Sequence, residues 1–73
     1  MFKHELYETR LDHGLTQKEL AKRLKVSEHA VQHWEYGRSY PSIKNLVKLS
    51  LIFDKPIDEF LTEERMYYTR YPE

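Results

Sequence analysis

The side chains best equipped for chemistry are gathered in Glu28-His29-Ala30-Val31-Gln32-His33-Trp34-Glu35. On a helix turning about 100° per residue, Glu28, His29, Gln32 and His33 fall within roughly 140° of one another. Ala30, Val31 and Trp34 span roughly 100° on the opposite side. One face is therefore small or apolar and turns inward. The other carries hydrogen-bonding groups of moderate length. Such a face can read base edges in the major groove of DNA, which admits one helix. Glutamine pairs bidentately with adenine, a carboxylate accepts from cytosine N4, and imidazole donates to guanine. On the wheel alone, an ordinary solvated face is an equal alternative.

Other chemistry finds less support. His29 and His33 stand four residues apart and could touch one metal ion, but no third ligand follows at a recognisable spacing, so no metal site is expected. Asp58, Glu59, Glu63 and Glu64 form an acidic cluster. Paired acid–base catalysis needs a pocket and a raised pKa, for which a helical bundle of 73 residues has little room. There is no nucleophile motif and no glycine loop to cradle phosphate. The expectation is a protein that is not an enzyme, with no cofactor and no small-molecule substrate.

Cysteine is absent, which removes disulfide and thiolate chemistry and fits a reducing cytoplasm. No apolar run approaches the ~20 residues of a membrane span, and Met1-Phe2-Lys3-His4-Glu5 lacks the apolar stretch of a signal peptide. A cytoplasmic location, away from membranes, is expected. The net charge of zero hides a gradient: residues 1–53 carry nine Lys/Arg against six Asp/Glu, and residues 54–73 carry three against six. A polyanion would meet the middle of the chain.

The elements that must position the 28–35 face can be read from local punctuation. A first helix runs from about Phe2 to Asp12 and stops at Gly14. Thr16, with Glu19 three residues on, forms a capping box opening a second helix over 17–24, with Leu20, Ala21 and Leu24 inward. Ser27 caps the third helix, closed by Gly37. Only Lys25-Val26-Ser27 separates these two helices, which forces a sharp corner. A fourth helix, from about Ser42 to Phe53, has an expected inner stripe of Ile43, Leu46, Val47, Ser50 and Phe53. A short fifth helix begins near Pro56 and carries Ile57, Phe60 and Leu61. The tail from Arg65 to Tyr71 suits either a helix or a strand.

Four segments in order, Leu15-Thr16-Gln17-Lys18-Glu19-Leu20-Ala21, Leu24-Lys25-Val26-Ser27, Val31-Gln32-His33-Trp34-Glu35-Tyr36-Gly37-Arg38 and Pro41-Ser42-Ile43-Lys44-Asn45-Leu46, resemble the lambda-repressor-like (Cro/CI, XRE) helix-turn-helix regulators. The resemblance covers about residues 2–61. It implies an all-α, five-helix DNA-binding domain over 1–61 with a tail over 62–73. It implies that Glu28, His29, Gln32 and His33 face the bases of double-stranded DNA. Gln17 would hold phosphate at a helix N-terminus, where free N–H groups and the dipole favour an anion. Tyr36, Arg38, Ser39, Tyr40 and Lys44 would grip the backbone. Arg10 and Glu35 would form an ion pair between the first and third helices, and Trp34 would be core. The expected activity is transcriptional repression; a protein-interaction module of antitoxin or anti-repressor type is the alternative.

Four positions depart from the pattern. Thr9 stands where a leucine is usual, Lys55 where an apolar residue is usual, and Asp54 where a glycine is usual. Glu28 places an acid on the base-facing surface, where it would repel phosphate, and it equally suits a helix N-terminus for local reasons. Leu49, Leu51 and Ile52 lie off the expected inner stripe of the fourth helix. With Met66, Tyr67 and Tyr68 of the tail they suggest a homodimer interface, and family members usually bind near-palindromic operators as dimers.

Overall fold

In a computed structural model of the chain, the residues described are 2–61. They form five helices: α1 (Phe2–Asp12), α2 (Gln17–Leu24), α3 (Glu28–Glu35), α4 (Ile43–Phe53) and α5 (Ile57–Phe60). The protein is all-α, and among the described residues there is no strand.

Hydroxyl side chains start three of the helices. Thr16 accepts from the Glu19 N–H at 3.0 Å while the Glu19 carboxylate accepts from the Thr16 N–H at 2.8 Å. Ser27 caps α3 through the Ala30 N–H at 3.1 Å. Ser42 caps α4 through the Asn45 N–H at 3.2 Å. Each satisfies a donor that the first helical turn leaves without a partner.

The helix ends share a second device. Gly14, Lys25, Gly37 and Asp54 all have positive φ. In each case the following residue's N–H reaches back five positions: Leu15 to Arg10, Val26 to Ala21, Arg38 to His33 and Lys55 to Ser50. This left-handed stop suits glycine, and Asp tolerates it. Lys25, at φ 60°, has no such excuse. Its conformation is imposed by the corner between α2 and α3.

The core is built from Phe2 and Leu6 of α1, Leu20, Ala21 and Leu24 of α2, and Val31 and Trp34 of α3. Leu46, Leu49 and Phe53 of α4, with Leu15, Phe60 and Leu61, complete it. The rings of Phe2 and Phe53 each stand 6.3 Å from that of Phe60, so the last helix closes the bundle over α1 and α4.

The orientation of α4 corrects the expectation from its sequence. Its buried residues are Leu46, Leu49 and Phe53. Ile43 is 68% exposed, Val47 43% and Leu51 75%. The helix is rotated by roughly 60° from the expected stripe. Leu49, expected at a dimer interface, is fully buried in the monomer core. Lys44, Asn45 and Lys48 mark an outward side of roughly 100°, but apolar residues fill most of the remaining surface of Ile43–Phe53, so the pattern sets the inward direction only coarsely. The neighbours set the rest. Lys48 sends its Nζ to the Leu24 carbonyl at 3.0 Å, and that reach past α2 goes with Leu49 turned into the core.

Thr9 and Lys55, both unusual at their positions, are partners. The Lys55 Nζ donates to Thr9 Oγ1 at 2.9 Å, lies 3.4 Å from Glu5 Oε1 and stands 5.1 Å from the centre of the Phe60 ring. A polar contact thus links Glu5 and Thr9 of α1 to the residue pair before α5, where two apolar residues would otherwise pack.

Candidate nucleic-acid interface

Helix α3 sets its two faces by burial. Val31 and Trp34 are in the core and Ala30 packs against it. Glu28 and His29 are exposed, and Gln32 and His33 are half-buried. The His29 and His33 rings stand 4.2 Å apart at 49°, so the two imidazoles form one ridge along the outer face. All four residues expected at the bases therefore share one surface of one rigid helix. No group of three His, Cys, Asp or Glu among the described residues is placed to hold a metal ion.

Three helices meet at the carboxylate of Glu35. Arg10 Nε donates to Glu35 Oε2 at 2.6 Å and Arg10 Nη2 to Oε1 at 2.9 Å. The remaining guanidinium nitrogen, Nη1, donates to the Leu15 carbonyl at 2.8 Å. The Gln17 amide donates to Glu35 Oε1 at 3.0 Å. The Arg10 and Glu35 side chains are 8% and 3% exposed. The hydrogen bond to Glu35 raises Arg10 above its ordinary pKa, against the opposing pull of burial. Planar fork meets carboxylate bidentately, which fixes angle as well as distance. Helix α3 is thus locked to α1 and to the first residue of α2. Gln17, expected at phosphate, has its amide committed to this lock. Such engagement orients the start of α2 relative to α3.

Beyond α3 the chain turns positive. Residues 36–53 contain no Asp or Glu. Tyr36, Arg38, Ser39, Tyr40 and Lys44 are all exposed. Gly37 at φ 76° and the bond from the Arg38 N–H to the His33 carbonyl, 2.9 Å, set where Arg38 leaves the helix. The Tyr40 ring lies 5.9 Å from that of Phe2, which anchors the loop to α1. Glu35, the nearest acid upstream, is neutralised by Arg10. Glu28 is the single carboxylate on the outer face of α3.

Two short hydroxyl-capped helices at a tight corner, with the second exposing a polar face beside a cationic loop, form the arrangement of a helix-turn-helix. A helix-turn-helix family model matches residues 6–60. The chain belongs to that family, of the Cro/CI and XRE type. It is 38% identical over 65 residues to the HTH-type transcriptional activator BcrR of Enterococcus faecalis, a match covering 89% of this chain and 32% of that protein. The chain thus spans about a third of the length of this relative. No solved structure matches it significantly.

Two contacts and one backbone conformation are not marked in the sequence. The Gln17–Glu35 bond joins residues 18 apart, and no local pattern signals it. The Thr9–Lys55 pair could have been suspected, since both positions depart from the family in the same polar direction. The left-handed Lys25 could have been found from the three-residue length of the corner.

Proposed function

We propose that this helix-turn-helix regulator binds double-stranded DNA in a sequence-specific manner, with α3 in the major groove. One observation carries the reading: Glu28, His29, Gln32 and His33 share the outward face of a helix whose other face is core and whose end is locked by Arg10 and Gln17. Preorganised side chains lose little freedom on meeting base edges. Tyr36, Arg38, Ser39, Tyr40 and Lys44 then hold phosphates and set register. Gln17 approaches the backbone through the N-terminus of α2, its amide being held by Glu35. Residues 1–61 form the binding domain and 62–73 an extension. The setting is the cytoplasm.

The chain acts as a homodimer on a near-palindromic site in this reading. Ile43, Val47 and Leu51 are spaced by four and form an exposed apolar stripe on α4, which supports an interface including Leu51 and the half-buried Ile52. Met66, Tyr67 and Tyr68, assigned to the same interface, lie outside the described residues. Leu51→Lys is expected to give a monomeric mass with an unchanged fold, and Leu49→Lys to unfold the chain. A wild type that stays monomeric up to high micromolar concentration would remove the dimer.

Occupying a promoter gives repression when the site overlaps that of the polymerase. The name of the relative, a transcriptional activator, favours the opposite sign for a site placed upstream. A reporter with the operator moved between these positions separates the two.

The test of DNA reading is selection of duplexes from a random pool by wild type and Gln32→Ala at near-physiological salt. The expected result is an enriched inverted repeat, altered or lost with Gln32→Ala. Absence of enrichment at every salt above the lowest would overturn the reading.

A further inference from the structure

The amino end of α1 reaches the cationic loop from a side that the sequence does not suggest. Phe2 is buried, its ring between those of Tyr40 and Phe60 at 5.9 and 6.3 Å. The first turn of α1 is therefore fixed against the segment that follows α3. Lys3 comes next, and its stem lies across Gly37. A Cβ built on Gly37 would stand 3.0 Å from Lys3 Cδ, 3.7 Å from Cε and 3.5 Å from Nζ. A side chain at 37 would press on the lysine stem, which would have to give way by a few tenths of an ångström. Its ammonium is held one residue from Arg38.

No carboxylate among the described residues pairs with Lys3. Glu35 is bound to Arg10, and Glu5 faces Lys55. A half-buried lysine whose stem lies on Gly37, with no ion pair among the described residues and beside a loop free of acids, has the properties of an anion contact. We propose that Lys3 is a phosphate-binding residue of the DNA interface, carried on α1 and positioned by packing on Gly37. It extends the surface of Arg38 and Lys44 by one charge, and it gives Gly37 a second role beside its positive φ. This rests on the DNA-binding reading above. Position 3 lies 34 residues before Gly37, which is why no local motif marks it.

The test is affinity against salt, read by fluorescence anisotropy, on the selected duplex and on a scrambled one. Wild type, Lys3→Gln, Lys3→Arg and Gly37→Asn are compared, with thermal unfolding of each. Lys3→Gln is expected to lower the logarithmic salt slope by about one and to weaken both duplexes about fivefold near ~0.15 M salt, with unchanged unfolding. Lys3→Arg restores the slope. Asn tolerates the left-handed backbone while its Cβ presses on the lysine stem. Gly37→Asn is therefore expected to weaken binding less than Lys3→Gln does, and to add no loss in the Lys3→Gln background. An unchanged slope in Lys3→Gln, with wild type still binding the selected duplex, overturns the role of Lys3 and leaves DNA binding standing. An equal loss from Gly37→Asn with and without Lys3 overturns the positioning by Gly37. A wild type that binds neither duplex removes both readings together.

Discussion

Among the described residues two ion pairs hold α1 to other parts of the molecule, and they differ in burial and geometry. At the Arg10–Glu35 junction the ions are nearly sealed from water, bidentate, at 2.6 and 2.9 Å. At the Lys55–Glu5 junction the side chains are 23% and 31% exposed and meet at 3.4 Å, with the shorter bond going to the neutral Thr9 hydroxyl. Both link α1 to a distant element. Only the first leaves an uncompensated buried charge when one partner is removed. It lies at the end of the helix proposed to read DNA, where a fixed angle matters, while the second sits on the seam between α1 and α5. Burial, more than formal charge, separates a structural lock from a solvated contact.

The sharpest way to break this comparison is Glu35→Ala. Stranding Arg10 in the core is expected to cost about 3–5 kcal/mol, enough to unfold much of so small a domain. Denaturant titration followed by circular dichroism checks it; a loss below 1 kcal/mol would show that the junction is open to water. Replacing both ions, Arg10→Met with Glu35→Leu, should recover much of the stability, because no orphan charge remains.

The Thr9–Lys55 seam should respond less. Lys55→Met removes the donor to a buried hydroxyl and is expected to cost about 1 kcal/mol. Adding Thr9→Leu should return the protein to wild-type stability or above it, since an apolar pair then fills the seam. A double variant worse than the single one would mean that the lysine stem and the Phe60 ring contribute more than the hydrogen bond.

Glu5→Gln sits lower still, within about 0.5 kcal/mol, and the difference should vanish in ~1 M salt. The Arg10–Glu35 coupling should survive the same salt. Equal screening of both would erase the distinction drawn between them.

The smallest effect concerns Glu19, a fully exposed carboxylate held below its ordinary pKa by the Thr16 backbone hydrogen bond and then by the Thr16 hydroxyl. A lowered folded-state value means that its stabilising contribution is complete above the ordinary carboxylate range. It is lost as pH falls through that range to the lowered value. Glu19→Gln should therefore show a flatter melting-temperature profile than wild type in this acid window and the same profile at neutral pH. Parallel profiles throughout would show that the capping box does not titrate with folding.

Much of α3 was legible in advance because its information is local. A serine cap, a glycine stop and a two-sided composition at helical spacing define where α3 starts, where it ends and which side it buries. The same holds for the capping box of α2 and for Asp54, whose type suits the left-handed backbone it adopts. Helix α4 was not legible in the same way. Lys44, Asn45 and Lys48 mark its outward side only broadly, and Ile43, Val47, Leu49 and Leu51 are interchangeable as apolar residues, so the pattern leaves the finer rotation of the helix open. Leu49 became core and Ile43 became surface only when α2 and α5 packed against α4.

The sequence by itself determined the helix-turn-helix: caps, stops and helical periodicity act over four or five residues, and their physics does not depend on what is packed around them. It also determined which side chains α3 turns outward. Tertiary structure alone decided how α4 is rotated, that Gln17 bonds Glu35, that Thr9 meets Lys55 and that Lys3 lies on Gly37. Each of those depends on which distant surfaces come within a few ångströms. That is set by the shape of the whole packed core, which no local pattern encodes.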